Sequence, residues 1–184
     1  AVALELKSRL GIREVRHYHA GLGKEGRRII ENWFYKSTNG ILAATCAYGM
    51  GVDKKDIRTV IHHDLSASVE AYLQESGRGS RDRKAASAIV LLNRDDEKRL
   101  DSLEGDLQSR YEKLLACMQQ TENCRREVLL KALDSGIDYC GGCDICSGKV
   151  VSLPPEAVPL ITHLLSLYKT GACLSELETE LHSE

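Results

Sequence analysis

Residues 59–93 read TVIHHDLSASVEAYLQESGRGSRDRKAASAIVLLN. The stretch opens on a short apolar run, TVIHHD (59–64). It passes into SVEAYLQESGR, where Val69, Tyr72 and Leu73 fall at helical spacing. It closes on ASAIVLLN (86–93), the most apolar segment of the chain. Short apolar runs bounded by turn residues read as buried parallel strands, and the 3.6-residue period between them reads as a helix. Strand, helix and strand joined by short loops give an α/β layer on a parallel sheet.

The same grammar continues upstream. VALELKSRL (2–10) has helical spacing, and GIREVRHYHAG rises through Val15 toward a glycine as a short strand does. GKEGRRIIENWFYKSTNG is read as a helix with Glu25 in its first turn, an apolar stripe of Ile29, Ile30, Trp33 and Phe34, and an end at Asn39-Gly40. ILAATCAY (41–48) reads as another buried strand. At Arg94 the texture changes to one long, charged, helical pattern, RDDEKRLDSLEGDLQSRYEKLLACMQQTENCRREVLLKAL. Its apolar face is Leu100, Leu103, Leu107, Tyr111, Leu114 and Leu115. VSLPPEAV then marks a boundary at two consecutive prolines, and the final stretch reads as helix, turn, helix. The expected division is 1–94, 95–150 and 151–184.

The chain has 184 residues, 42% hydrophobic and 28% charged, with a formal net charge of −2 and a pI near 6.3. This balance carries no global nucleic-acid signature, so any such contact must be local. No apolar run approaches a membrane span, and the N-terminus lacks the basic start and apolar block of a signal peptide. It also lacks an initiator Met, and the expectation is a piece of a longer protein.

Seven cysteines divide into two groups. Cys46, Cys117 and Cys173 are scattered and read as small buried hydrophobes. Cys124, Cys140, Cys143 and Cys146 follow the pattern C-x15-C-x2-C-x2-C. Four thiolates are what a closed, tetrahedral structural zinc site uses, and Gly141 and Gly142 give the C-x2-C turn its backbone freedom. A redox pair or unrelated buried cysteines are the other readings of these residues.

Arg78 and Arg81 stand three residues apart among glycines. Arginine suits planar recognition of phosphate, and on a helix end this spacing points both side chains the same way. Yet no G-x-x-x-x-G-K-[ST] phosphate loop is present. A solvated face paired with Glu75 and Asp82 is the competing reading. His62 and His63 are taken to finish a strand and are assigned no role.

GILAATCAYGMGVDKKDIRTVIHHDLSASVEAYLQESGRGSRD (40–82) resembles motifs V and VI of a superfamily 2 helicase of the RecQ family. HYHAGL (17–22) is similar to that family's motif IV region, and CRREVLLKAL…CGGCDIC to its zinc-binding segment. The resemblance implies a RecA-like parallel sheet with flanking helices, then a helical zinc-binding subdomain, then the start of a winged-helix domain. It implies that Arg81 is the arginine finger and that Arg78 lies close to the nucleotide phosphates. Gln74 would couple nucleotide state to lobe closure. Gly49, Gly51 and Asp53 would lie on the nucleotide side, with Asp53 at the ribose. Thr45, His19 and Gly21 would lie on the DNA path. A hydroxyl just past a strand's carboxyl end also suits a phosphate oxygen, although Thr45 could equally make a strand-end hydrogen bond. The family's glycines after the first arginine and after the aspartate are here Ser80 and Arg83, and Lys55 stands where a proline is common.

The implied activity is ATP-dependent 3′–5′ DNA unwinding in recombination and repair. ATP and Mg would be bound with a first RecA-like lobe that this chain lacks, and the chain alone should be inactive. Single-stranded and partly duplex DNA are the implied partners, in the cytoplasm or nucleoid, or in the nucleus of a eukaryote. Two rivals stand beside this: a non-enzymatic, zinc-stabilised DNA-binding or interaction module, and an RNA helicase or another superfamily 2 motor lobe without zinc.

Overall fold

The structure, a computed structural model, describes residues 14–45 and 54–148. The expected helix at 2–10 and the expected winged-helix segment at 151–184 lie outside these residues, as do Cys46, Gly49, Gly51, Asp53 and Cys173.

Among the described residues the strands and intervening helices follow the expected order, and three helices come after them: β1 (Val15–Tyr18), α1 (Lys24–Lys36), β2 (Ile41–Ala44), β3 (Thr59–His62), α2 (Val69–Ser76), β4 (Ser87–Val90), α3 (Arg94–Asp101), α4 (Gly105–Gln119) and α5 (Arg125–Lys131). Each helix between two strands joins a parallel pair. β1 pairs with β2 in the register Val15↔Ile41 to Tyr18↔Ala44, and β3 pairs with β4 from Thr59↔Ser87 to His62↔Val90. Among the described residues these are two separate two-stranded ladders. The strands are accordingly less covered than their apolar sequences suggest: Ile41, Ile61 and Ile89 are 37%, 47% and 38% exposed. In a two-stranded ladder both strands are edges, and a parallel pair is fully buried only when layers cover both faces.

α1 packs Phe34 and, half-buried, Ile30 and Trp33 against Tyr18 of β1. Ile29 departs from the expected stripe and is 60% exposed. The helix ends at Lys36, with the Ser37 amide bonded to the Trp33 and Phe34 carbonyls, three residues before Asn39-Gly40.

The long helical pattern after residue 93 breaks into three helices. α3 opens on a capping box, in which Asn93 accepts from the Asp95 amide while the Asp96 carboxylate accepts from the Asn93 amide at 2.9 Å. It stops at Ser102, and Glu104 is extended (φ −133°, ψ 154°). α4 stops at Gln120, whose side chain accepts from the amides of Glu122 and Asn123 and supplies the turn. Local polar side chains satisfying backbone amides thus end helices that hydrophobic periodicity alone would continue. Leu107 lies off the core at 61% exposure, while Tyr111 and Leu114 are fully buried.

The largest core joins α2 to α4 and α5: Leu65, Val69 and Tyr72 pack with Tyr111, Leu114, Leu115, Met118 and Leu129. Cys117 is buried there, as expected of a small hydrophobe. Asp96 is buried too, and the Tyr111 hydroxyl donates to it at 3.1 Å. Burial and the adjacent carboxylate push the Tyr111 hydroxyl up to about 12.

Candidate functional site

Two constellations stand out, the turn that follows α2 and a cluster of four cysteines. α2 begins at Ser68, whose hydroxyl accepts from the Ala71 amide at 3.2 Å. It ends at Ser76, so the arginine pair lies in the turn that follows the helix rather than on it. A Cβ on Gly77 would lie 2.8 Å from the Leu73 carbonyl oxygen, so only glycine fits there. Arg78 and Gly79 continue the turn with amide bonds to the Glu75 and Ser76 carbonyls at 3.2 and 3.1 Å. Ser80 then reverses the chain with φ 62°, and Arg83 does so again with φ 64°. Arg78 is half-buried and Arg81 exposed.

Four hydrogen bonds fasten this turn to the segment entering β3. The Ser80 amide donates to the Ile57 carbonyl (3.1 Å) and the Asp82 amide to the Lys55 carbonyl (3.2 Å). The Arg58 guanidinium grips the Asp82 carboxylate with both ends, one contact being 2.9 Å. The hydrogen bonds from Arg58 hold the Asp82 carboxyl down to about 2. A carboxyl lowered in the fold stabilises it fully above the ordinary aspartate range, near 3.9, and that contribution is lost as pH falls through about 2. Asp82→Asn should therefore remove an acid-sensitive step from the unfolding-versus-pH curve between about pH 4 and 2, read by circular dichroism.

Ser80 and Arg83 are the two positions where the chain departs from the family's glycines, and both take the left-handed conformation that glycine adopts freely. Arg83→Gly should stabilise the protein by about 0.5–1 kcal/mol, the relief of left-handed strain less the freedom glycine adds to the unfolded chain. Ser80→Gly should gain less, because the Ser80 hydroxyl donates to the Lys84 carbonyl. Urea unfolding midpoints check both.

The DNA-side candidates gather at the C-terminal ends of β1 and β2. The Thr45 amide donates to the Tyr18 carbonyl at 3.1 Å, one step beyond the ladder, and the Thr45 side chain is exposed. His19 is exposed and stacks on His17 with centroids 5.6 Å apart. Gly21 is in the turn closed by the Leu22 amide on the His19 carbonyl. Gln74 is exposed near the end of α2.

The second constellation is the cysteine cluster. The sulfurs of Cys124, Cys140, Cys143 and Cys146 all lie within 4.8 Å of one another. A tetrahedral zinc with bonds of about 2.3 Å sets its sulfurs about 3.8 Å apart, so the donor set fits. Cys124 comes from the start of α5, and the other three come from a knuckle in which Gly142 takes φ 116°. Burial raises the Cys143 thiol, but the donors facing its sulfur, the Cys146 amide at 3.4 Å first among them, bring it down to about 6. Hydrogen bonding to Cys143 pushes the Cys146 thiol up to about 12. Sulfurs this close resist joint ionisation until a cation sits between them.

Arg125 supports the cluster from behind. It donates to Asp144 at 2.7 and 2.9 Å and to the carbonyls of Cys117 and Met118 at 2.9 and 3.0 Å. One side chain thereby ties the end of α4 and the start of α5 to the knuckle.

Sequence reasoning missed several of these groups. Arg58, Arg125 and Asp144 act across 24 or 19 residues and carry no spacing signal. Lys54 is buried, donates to the Ser37 carbonyl at 2.7 Å, pairs with Asp56 at 2.9 Å and so caps the end of α1. His62, left without a role, is buried against Glu75.

The parallel α/β lobe that carries the arginine turn is of the helicase C-terminal class: the helicase conserved C-terminal domain matches residues 3–83. The chain belongs to the RecQ family. It is 35% identical over 182 residues to the ATP-dependent DNA helicase hus2/rqh1 of Schizosaccharomyces pombe, covering 92% of this chain and 14% of that protein. It is 31% identical over 170 residues to the ATP-dependent DNA helicase Q1 of Mus musculus, covering 89% and 26%. It is 32% identical over 138 residues to the ATP-dependent DNA helicase RecQ of Pasteurella multocida, covering 70% and 22%. The chain thus spans about a quarter or less of these relatives. The second domain of the DEAD-box helicase Mss116p, solved bound to an RNA duplex, shares the fold with a TM-score of 0.51 at 18% identity, over 96% of this chain and 63% of that one. Among the described residues no helix is long and apolar enough to cross a membrane.

Proposed function

We propose that this chain is the second motor lobe and zinc-binding segment of an ATP-dependent, 3′–5′ DNA helicase acting in recombination and repair. The observation that supports it most is the anchored turn at 77–84, held by the bonds of Ser80 and Asp82 and by the Arg58 clamp. Such a turn presents Arg81, with Arg78 beside it, to a nucleotide held by a first RecA-like lobe. Always-charged arginines there offset the charge that builds on the γ-phosphate as it transfers, with ATP and Mg bound by that other lobe. Gln74, one turn of α2 before the arginines, would relay lobe closure. Gly49, Gly51 and Asp53 would complete the nucleotide side, with Asp53 at the ribose.

Thr45, His19 and Gly21 would face the phosphates and sugars of a single strand at the ends of β1 and β2. Contacts of this kind position the strand without reading its sequence. The four cysteines would hold zinc, which supplies a structural cross-link and no chemistry. The four-cysteine cluster speaks against a helicase lobe without zinc. A DNA-binding or interaction module without hydrolysis would need no anchored arginine turn. The place of action would be the nucleoid, or the nucleus in a eukaryote.

The 184-residue chain should bind single-stranded DNA with affinity that falls steeply as salt rises, and should not hydrolyse ATP by itself. Fluorescence anisotropy at several salt concentrations and a phosphate-release assay check this. DNA-stimulated hydrolysis by this chain alone, abolished by Arg81→Ala, would overturn it.

A further inference from the structure

His62 ends β3 and is buried, with its ring 4.9 Å from the ring of Tyr72. Its Nδ1 faces two groups, the Glu75 carboxylate at 3.2 Å and the Ser66 hydroxyl at 3.3 Å. Ser66 has a single proton, and its hydroxyl lies 2.6 Å from the same Glu75 oxygen, the shorter and charge-assisted bond. With that proton spent on Glu75, both groups facing Nδ1 are acceptors, so Nδ1 itself carries the proton. Nε2 is buried and has no hydrogen-bond partner among the described residues. The ring is therefore oriented through Nδ1 alone.

Glu75 is the residue after Gln74 and two before Gly77, and the Arg78 amide bonds to its carbonyl at 3.2 Å. An anchor on the Glu75 side chain thus fixes the last turn of α2, from which the arginine turn departs. We propose that His62, as the neutral Nδ1–H tautomer, is a positioning residue that sets the arginine turn through Glu75. This rests on the reading of Arg81 as the group that reaches the nucleotide.

Protonation would place a proton on buried, unpartnered Nε2. The groups that face the ring are Glu75 and Tyr72 on α2 and Ser66 on the β3–α2 connection. Glu75 favours the charged ring, but burial opposes it more strongly and holds the imidazole below its usual range. Hydrolysis should accordingly hold as pH drops through the ordinary histidine value of about 6.5 and fall only at lower pH, where the buried ring takes its second proton.

The experiment compares His62→Asn, His62→Gln and His62→Leu in the full-length protein that carries this chain, with Arg81→Ala alongside. The Asn amide nitrogen stands where Nδ1 was, and the Gln amide nitrogen where Nε2 was. His62→Asn should keep kcat close to that of the parent and lose the acid limb of its pH profile. His62→Gln and His62→Leu should lower kcat about tenfold at nearly constant KM for ATP, as a slight misplacement of a reacting group does. Nitrogen-15 spectra of the 184-residue chain, with histidine labelled, should show His62 protonated at Nδ1. Equal loss in all three variants, unchanged kcat in His62→Leu, or an Nε2–H tautomer would each overturn the proposal. Undiminished hydrolysis in Arg81→Ala would instead overturn the reading of Arg81, and the tautomer would still decide whether His62 anchors Glu75.

Discussion

A chelator that strips the zinc proposed at the four cysteines should unfold the segment from Asn123 to Gly148. Among the described residues from 119 to 148, Leu129 is the one buried side chain. α5 has seven residues, fewer than an isolated helix needs to persist in water. Arg125 and Asp144 tie the segment to α4, but both are partly exposed, and such a pair contributes little alone. Leu129, with the half-buried Val128, Ala132 and Leu133, ties only α5 and its end to the core, so the knuckle depends on the four sulfurs within 4.8 Å. Structural zinc in sites of this kind contributes about 10–16 kcal/mol of apparent binding energy at neutral pH, and that energy is folding energy.

Cys143→Ser should abolish one equivalent of bound zinc and make residues 123–148 susceptible to protease. The α2–α4 core, built on Tyr72, Tyr111 and Leu114, should persist. Zinc retention should weaken as pH falls, because protons compete with the metal for the four sulfurs. Native mass spectrometry with and without a chelator reads the metal, and limited proteolysis reads the fold. Intact folding without metal would sink this expectation.

Arg81→Ala in the full-length protein should lower kcat for ATP hydrolysis by about 10³- to 10⁵-fold, the range an arginine at the transferring phosphoryl group supplies. Zinc content and single-strand binding should stay as they were, because Arg81 is exposed and lies outside both the cysteine cluster and the β1–β2 ends. Arg81→Lys should recover little, since a point charge does not reproduce the planar fork. Arg78→Ala should also lower hydrolysis. Arg78 is half-buried in the turn, so its loss should cost some stability as well. Steady-state phosphate release with saturating single-stranded DNA measures all three.

Much of this was legible in the sequence because it depends on local period and local spacing. The alternation of β1 to β4 with α1 and α2 follows from apolar runs and glycine punctuation, and the cysteine cluster from the C-x2-C-x2-C repeat. The replacement of the family's glycines by Ser80 and Arg83 was visible too, but their positive φ and the departure of both arginines from the helix into a turn were not.

What stayed hidden depends on long-range or competing terms. Helical period continues unbroken through residues 94–133, yet Gln120 and the turn before Gly105 divide it by satisfying the backbone in other ways. Leu107 and Ile29 share the period of the buried faces but find no partner. Lys54 and Arg58 look like ordinary surface cations, and only the fold reveals one sealed under α1 and the other clamping Asp82. His62 reads as the end of a strand, and its tie to Glu75 appears only when α2 folds back over β3.

The most direct test concerns Arg81 and the transition state. The full-length protein and its Arg81→Ala variant would be titrated with ADP alone and with ADP plus aluminium fluoride, a mimic of the transferring phosphoryl group. Only interactions stronger in the transition state accelerate the chemical step. If Arg81 acts at the γ-phosphate, the variant binds ADP as the parent does and loses most of the added affinity for the fluoride complex. Equal affinity of parent and variant for that complex would contradict the role given to this turn.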